Sequence, residues 1–265
     1  QTRKTTGHVG SRYKLSSESN RMFFLCIFCC CPSYMTTCFS PSVQLVDYAV
    51  CFFAPLSLTQ PPFSAILSAM NDTYGDFSVL ARFAVSDYHS QAVHLRHNKT
   101  GLEVLHLAND ESENLFSFAF RTPNPRGNGA AHILEHSVLC GSERYPLKDP
   151  FIRLSNQSVK TYLNAMTYPD RTVFPASSIV KADYFNLMRV YGDAVFFPRL
   201  APEIFMQEAH RLELDEHGEP SLQGVVYNEM KGSYSSFEAV AADCAMRSVM
   251  RGSVYEKDSG GDPLE

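Results

Sequence analysis

The segment His132–His136 constrains the fold of this chain more than any other, because it places three chemically active side chains within five residues. Its sequence is H-x-x-E-H, with Glu135 directly before the second histidine. On an α-helix, residues four apart lie on one face, so both imidazoles can reach one metal ion, and Glu135 borders the same site. Two neutral imidazoles suit Zn²⁺, and a carboxylate beside a zinc-bound water can accept its proton. The spacing therefore predicts a helix that carries a zinc site.

The residues around this motif bear on the competing explanation, a histidine pair with a purely structural role. The preceding segment Gly127–Ala131 predicts a turn that leads into a helix. Apolar residues lie within and after the motif, namely Ile133, Leu134, Val138 and Leu139. They indicate that the helix packs against another part of the protein. Because buried imidazoles and carboxylates need partners, a metal ion is the simplest explanation for the motif.

A third ligand is needed, since catalytic zinc usually has three protein ligands and one open position. Cys140 lies four residues after His136, but the helix is predicted to end at Gly141, which would leave Cys140 one turn further from the metal. Glu229 is the better candidate, because its segment Gly224–Gly232 predicts the start of a helix that is otherwise apolar on one side. By composition alone, Glu229 is one of many carboxylates.

Elsewhere in the chain, the periodicity predicts strands followed by helices. The predicted strands are Val93–His97 and Leu102–Leu107, joined as a hairpin by Asn98–Gly101, then Leu115–Phe120, residues 160–166 and residues 171–175. The predicted helices are residues 128–141, a short helix after Asp149, residues 182–197, a helix from Pro202 to about Leu212, and a long helix from Gly224 through Ala242. Among the other histidines, strand-surface positions are predicted for His94, His97 and His106, and a core or surface position on its helix for His210. Strands followed by helices packed on one face constitute an α+β layout.

The first seventy residues differ from the rest in composition. They contain six of the eight cysteines, namely Cys26, Cys29, Cys30, Cys31, Cys38 and Cys51. The apolar run Met22–Cys31 is too short to span a bilayer, and basic residues precede it. Three interpretations stay open: a targeting segment, a cysteine-rich module, or sequence that is not native to the protein. We predict that residues 1–70 are poorly structured and that residues 71–265 form the folded domain.

Several motifs in the second part of the chain occur in an order that resembles one family. They are His132–Ser142, Tyr145-Pro146, Asp149–Phe151, Leu163–Thr172, Gly224–Gly232 and Ser259–Pro263. Over about residues 75–265, the chain resembles the pitrilysin-type metallopeptidases (inverzincins), and within them the presequence-protease branch. The resemblance implies an α+β, pitrilysin-like peptidase domain with a mostly antiparallel sheet, here an N-terminal, incomplete part of a longer protein.

The resemblance also implies roles for individual residues. Zn²⁺ is the implied cofactor, with His132, His136 and Glu229 as its ligands and Glu135 as the catalytic base. Asn164 and Ala165 are implied to lie on an edge strand that pairs with the substrate backbone. The implied function is a zinc metalloendopeptidase that cleaves unfolded peptides by attack of a zinc-bound water.

Members of this family enclose their substrate between two halves of a longer chain. The expected partners are therefore unfolded peptides and a C-terminal half of the same protein, and whether the fragment is active without that half stays open. The expected location is the bacterial cytoplasm or the matrix of a mitochondrion or plastid. A transmembrane span is not expected, because the apolar run Met22–Cys31 is too short to cross a bilayer. A nucleic-acid partner is not expected either, because residues 71–265 contain no basic cluster and the net charge of the chain is −5.

Two alternatives to an enzyme remain at this point. Some relatives keep the fold as non-catalytic scaffold subunits, usually with damaged zinc motifs, whereas His132, Glu135, His136 and Glu229 are all present here. A structural zinc domain would need four protein ligands, and the sequence offers no convincing fourth ligand. Both features favour the enzyme.

Overall fold

The computed structural model describes residues 73–214 and 216–263, together with the backbone of Ile27–Cys30. Its strands are β1 (Ile27–Cys30), β2 (Thr73–Tyr74), β3 (Phe77–Val85), β4 (Ser90–His97), β5 (Glu103–Ala108), β6 (Asn114–Arg121), β7 (Tyr162–Leu163), β8 (Met166–Thr167), β9 (Arg171–Ser178), β10 (Arg211–Leu214) and β11 (Pro220–Gln223). Its α-helices are α1 (Ala130–Val138), α2 (Pro150–Gln157), α3 (Lys181–Phe196), α4 (Pro202–Glu208), α5 (Val225–Ser233) and α6 (Phe237–Val249). A 3₁₀ turn, Ser86–Tyr88, joins β3 to β4.

The strands form two larger sheets and one separate hairpin. The first sheet has the order β1-β5-β4-β3-β2, in which β1 is parallel to β5 and the other pairs are antiparallel. In the second sheet, β6 pairs with β9 from Asn114↔Ser178 to Arg121↔Arg171, and β7 and β8 lie along the other edge of β9. Strands β10 and β11 form the hairpin. The predicted hairpin β4–β5 and the predicted α+β class are both confirmed.

The core joins both sheets to helix α3. Phe116, Ser117 and Phe118 are fully buried, so β6 is covered on both of its faces. On α3, Tyr184 and Tyr191 are buried with them, and the rings of Phe116 and Tyr184 make an edge-to-face contact with centroids 5.7 Å apart. Burial of these large aromatic side chains fixes α3 against β6 and β9.

One predicted helix ends earlier than its sequence suggests. Helix α4 stops at Glu208, whereas the prediction extended it to about Leu212. Arg211–Leu214 instead pairs with β11, in the register Arg211↔Gln223. Charged and apolar residues alternate in this segment with the period of a strand, which the helical prediction overlooked.

The predicted long helix that carries Glu229 is two helices. Helix α5 ends at Ser233, and α6 begins at Phe237. Ser236 separates them, because its hydroxyl accepts a hydrogen bond from the backbone N–H of Ala239 at 3.1 Å. A serine in this position caps the start of a new helix and favours a break over continuation.

His106 does not lie on the surface of its strand as predicted. It is 5 % exposed, whereas His94 and His97 are both partly exposed. Burial lowers the pKa of His106 to about 4 from its ordinary value of 6.5, so its ring is neutral at physiological pH. Alternation in the sequence predicts the strand β5, but it does not predict that the face carrying His106 is covered by other residues.

Within residues 1–70, the structure describes only the backbone of Ile27–Cys30, which pairs with β5 from Ile27↔Leu105 to Cys30↔Ala108. The rest of the segment lies outside the described residues, so the proposed division at residue 70 stays a prediction. None of the helices in the described part of the chain combines the length and apolar character needed to cross a bilayer.

Candidate metal centre

Helix α1 starts at a point where the chain passes very close to another segment. Gly129 precedes the helix with φ = 65°, and a Cβ atom there would lie 2.6 Å from the Gly260 carbonyl oxygen. Gly261 lies opposite Gly129 and has φ = 97°, and a Cβ atom on Gly261 would lie 2.6 Å from Gly129 Cα. Only glycine combines a positive φ with this space. The contact places the segment Ser259–Asp262 beside the motif helix.

The i, i+4 spacing of the histidines brings both rings to one side of α1. The ring centroids of His132 and His136 are 4.8 Å apart, and the rings are nearly perpendicular. The Nε2 atoms of both rings lie 3.7 Å from Oε2 of Glu229. Among the described residues, these three side chains form the group that could hold a metal ion, with ligand atoms within 4.8 Å of one another. The structure therefore brings the three predicted ligands together.

The second nitrogen of each ring faces an acceptor. Nδ1 of His132 lies 3.3 Å from the Gly260 carbonyl oxygen, and Nδ1 of His136 lies 3.2 Å from Oε2 of Glu208. Because these oxygens accept hydrogen bonds, the contacts favour the neutral tautomer with the proton on Nδ1, which leaves the lone pair on Nε2. This is the arrangement that fixes metal-binding histidines in known sites.

The donor set fits Zn²⁺. Two imidazole nitrogens and one carboxylate oxygen are ligands of catalytic zinc sites, which leave a fourth position open. Ligand atoms on a tetrahedral zinc ion at 2.0–2.1 Å would be about 3.4 Å apart. The two Nε2–Oε2 distances of 3.7 Å need only a small contraction to reach this value.

Helix α5 presents Glu229 to this site. Val226 and Met230 are buried on the same helix, whereas the Glu229 side chain is 51 % exposed. Gly224 precedes the helix, and a Cβ atom there would lie 2.0 Å from the Ala209 carbonyl oxygen. The close approach at Gly224 packs the start of α5 against the end of α4, which sets the position of Glu229.

Glu135 lies beside the three-ligand group but outside it. It is 6 % exposed, and its Oε2 accepts a hydrogen bond from Thr167 Oγ1 at 2.5 Å. Burial raises the pKa of Glu135, against the opposing effects of Thr167 and the two histidines. For His136, burial alone would lower the pKa, but the hydrogen bond to Glu208 and the surrounding carboxylates raise it overall.

All six residues singled out from the sequence line one cleft of about 910 Å³, namely His132, Glu135, His136, Asn164, Ala165 and Glu229. Asn164 and Ala165 lie between the short strands β7 and β8 rather than inside a continuous strand. Pro175 on β9 explains this break. Its carbonyl oxygen accepts a hydrogen bond from the Asn164 N–H at 3.1 Å, but proline has no N–H that could donate to the Asn164 carbonyl. The buried Tyr191 hydroxyl donates to the Asn164 carbonyl instead, at 3.1 Å.

Two other candidates do not join the group. Cys140 donates from Sγ to Glu208 Oε1 at 3.4 Å, and burial raises the pKa of its thiol to about 12. Its Sγ is directed at Glu208 and is not part of the ligand group formed by His132, His136 and Glu229. His210 is exposed after the end of α4, with its ring against Phe205.

Sequence reasoning missed three residues of the site. Glu208 and the Gly260 carbonyl hold the histidines, and Thr167 holds Glu135. In the sequence, Glu208 is a carboxylate at the end of an amphipathic helix, and Gly260 belongs to a Gly-Gly pair. Neither feature indicates which residue it contacts. Thr167 lies in the Leu163–Thr172 motif, which supports the family resemblance but assigns no role to this residue.

Among curated proteins, the chain has relatives that are named presequence proteases. "Presequence protease 1, chloroplastic/mitochondrial" of Arabidopsis thaliana is 44 % identical over 192 residues, which are 71 % of this chain and 18 % of that protein. "Presequence protease, mitochondrial" of Danio rerio is 44 % identical over 209 residues, 76 % of this chain and 20 % of that protein. The chain thus spans about one fifth of the length of these curated relatives.

The fold has a counterpart among solved structures. A crystal structure of pitrilysin matches with a TM-score of 0.50 and 20 % identity, covering 78 % of this chain and 19 % of that one. At this identity, the match supports the α+β fold alone. No family model matches the chain.

Proposed function

We propose that this chain, which belongs to the pitrilysin-type peptidase family, carries the zinc site of a metalloendopeptidase that cleaves unfolded peptides. The observation that carries the proposal is the geometry of one cleft. Both histidine Nε2 atoms face Glu229 Oε2 at 3.7 Å, and Glu135 lies beside them without joining the ligand group. Three ligands and one separate carboxylate are what a hydrolytic zinc site requires.

The ligands would be His132, His136 and Glu229, held by Gly260 and Glu208. When bound there, Zn²⁺ lowers the pKa of water towards ~7 and polarises a peptide carbonyl. Glu135 takes the proton of the attacking water. Thr167 engages Oε2 of Glu135, which leaves Oε1 for that proton. The same carboxyl then passes the proton to the departing amine.

The edge beside β9 would bind the peptide substrate. Asn164 directs its N–H towards Pro175, and its carbonyl accepts from Tyr191. Since backbone groups alternate in direction along a strand, those of the neighbouring Ala165 face away from β9. An extended peptide could pair with them inside the cleft by main-chain hydrogen bonds, which give affinity with little side-chain selectivity.

Substitution of Glu135 by Gln tests this function, because it keeps the size of the side chain and removes the base. This chain spans about one fifth of the length of its relatives, so cleavage of an unfolded peptide is measured with two proteins. The first is the chain by itself, and the second is the full-length zebrafish relative in which this chain replaces the matching segment. In whichever of the two proteins is active, we expect Glu135→Gln to retain zinc and to reduce cleavage by about 10²–10⁴-fold.

His136→Ala is the matched control, and it should lose zinc and activity together. Near-normal cleavage by Glu135→Gln would remove Glu135 from the mechanism. Zinc binding without any cleavage in the exchanged protein would favour a non-catalytic scaffold subunit.

The compartment is also a proposal. The names of the plant and zebrafish relatives place those proteins in mitochondria or chloroplasts. We propose the matrix of a mitochondrion or plastid for this protein, or the cytoplasm if its source is bacterial. Fractionation of cells that express the tagged protein tests this, and recovery in a secreted fraction would contradict it.

A further inference from the structure

Glu208 is a buried carboxylate of the site that is neither a proposed zinc ligand nor the proposed base. Glu208 is 6 % exposed and is the last residue of α4. A negative charge is unfavourable at this end of a helix, where the carbonyl groups already concentrate negative charge. Burial of a carboxylate is unfavourable as well, unless it is hydrogen-bonded. Glu208 therefore occupies a position that helix stability alone does not explain.

Three donors converge on this carboxylate and divide its oxygens between them. Oε2 accepts from His136 Nδ1 at 3.2 Å. Oε1 accepts from Gln207 Nε2 at 2.7 Å and from Cys140 Sγ at 3.4 Å. Because Gln207 and Cys140 hold Oε1, the carboxylate cannot rotate freely, and Oε2 stays directed at His136.

From this geometry, we propose that Glu208 is a positioning residue that holds His136 as the Nδ1–H tautomer, with Nε2 directed at Glu229. The inference rests on the proposed zinc site and deepens it. The opposite tautomer would place a proton on Nε2, between His136 and Glu229, where a metal needs a lone pair. Free rotation of the ring would also move Nε2 away from its 3.7 Å separation from Glu229.

The test compares Glu208→Ala and Glu208→Gln with Glu203→Ala. Glu203 is an exposed carboxylate on the same helix, so its variant loses the same charge without contact to His136. Zinc affinity of each purified chain is measured by competition with a chelator, and folding by circular dichroism and urea. Glu208→Ala should bind zinc about 10–100-fold more weakly, the usual effect of losing such a partner. Glu208→Gln keeps an oxygen acceptor and should lie between it and the original chain, and Glu203→Ala should be unchanged.

The second readout is the tautomer itself, observed without zinc. Two-bond ¹H–¹⁵N correlation spectra at alkaline pH distinguish the two neutral forms of His136. The original chain, Glu203→Ala and Glu208→Gln should show the Nδ1–H form, and Glu208→Ala should shift towards the Nε2–H form. A purely structural role for Glu208 would change stability but not the tautomer.

The outcomes separate this inference from the proposed function. Absence of zinc binding by the original chain would refute the zinc site, and the tautomer would still decide the role of Glu208. A folded Glu208→Ala chain with unchanged zinc affinity or an unchanged His136 tautomer would overturn the inference, as would equal zinc affinities for the Ala and Gln variants. If Glu208→Ala does not fold, the size-matched Gln variant decides: loss of its Nδ1–H form would contradict the inference.

Discussion

The close contact between Gly129 and Gly261 offers the sharpest test of how this site is assembled. Substitution of Gly261 by Ala would place a Cβ atom 2.6 Å from Gly129 Cα and 2.7 Å from Gly129 N. These are backbone atoms at the start of α1, so they cannot rotate aside as a flexible side chain can. Gly261 also has φ = 97°, a conformation that side-chain-bearing residues rarely adopt.

The magnitude follows from these two effects. A positive φ costs an L-residue roughly 1–2 kcal/mol. Forcing an additional carbon into a packed contact costs roughly 1–3 kcal/mol. We therefore expect Gly261→Ala to lower the free energy of unfolding by about 2–5 kcal/mol, a large fraction of the 5–15 kcal/mol typical of a domain.

Urea denaturation followed by circular dichroism measures this loss. Gly252→Ala is the matched control, because Gly252 has φ = 79° in the same part of the chain but nothing within 4 Å of an added Cβ atom. It should show the backbone strain of roughly 1–2 kcal/mol alone. Equal losses for the two variants would refute the close approach of these segments.

Gly261→Ala should also weaken zinc binding, because Gly260 holds His132 through its carbonyl oxygen. Unchanged zinc affinity in a destabilised variant would show that the Gly260 contact does not position His132. Gly252→Ala should leave the affinity unchanged.

Two further predictions concern the frame around the site. Tyr191→Phe removes the hydroxyl that donates to the Asn164 carbonyl, so the free energy of unfolding should fall by about 1 kcal/mol in urea; an unchanged value would contradict this hydrogen bond. Burial lowers the pKa of His106 to about 4 from 6.5, so the unfolded chain binds more protons between these pH values. The unfolding free energy should therefore be highest above pH 6.5 and fall by up to roughly 3 kcal/mol as the pH drops towards 4. In His106→Gln this part of the pH dependence should flatten, and identical curves would show that His106 is not buried as a neutral ring.

Local sequence patterns predicted the structural features that are set by residues close together in the chain. The spacing of His132 and His136 determines that their rings share a face of α1, and the β4–β5 hairpin follows from alternation around a glycine turn. Partners from distant segments were not predictable in this way. Glu208 is 72 residues from His136, and Gly260 is 128 residues from His132. No periodicity encodes such contacts, which depend on how α4 and the last segment pack against α1.

Predicted boundaries of helices were wrong where two sequence signals compete, such as helix-forming composition against strand alternation or a helix cap. Arg211–Leu214 has helix-forming residues, yet its alternation and the returning strand β11 make it a strand. Residues 224–242 read as one helix by composition, whereas the Ser236 cap starts a second one. Glu229 lies in the first turns of α5, so the break at Ser236 does not change the helix that carries it.

The central claim is that His132, His136 and Glu229 bind Zn²⁺, and X-ray absorption at the zinc edge of the zinc-loaded chain tests it most directly. The claim predicts one zinc ion with two imidazole ligands at ~2.0–2.1 Å, oxygen ligands at ~2.0–2.2 Å, and no sulfur. Glu229→Ala should change the oxygen shell and keep the imidazoles. A sulfur ligand at ~2.3 Å, or a spectrum unchanged by loss of both histidines, would contradict the claim.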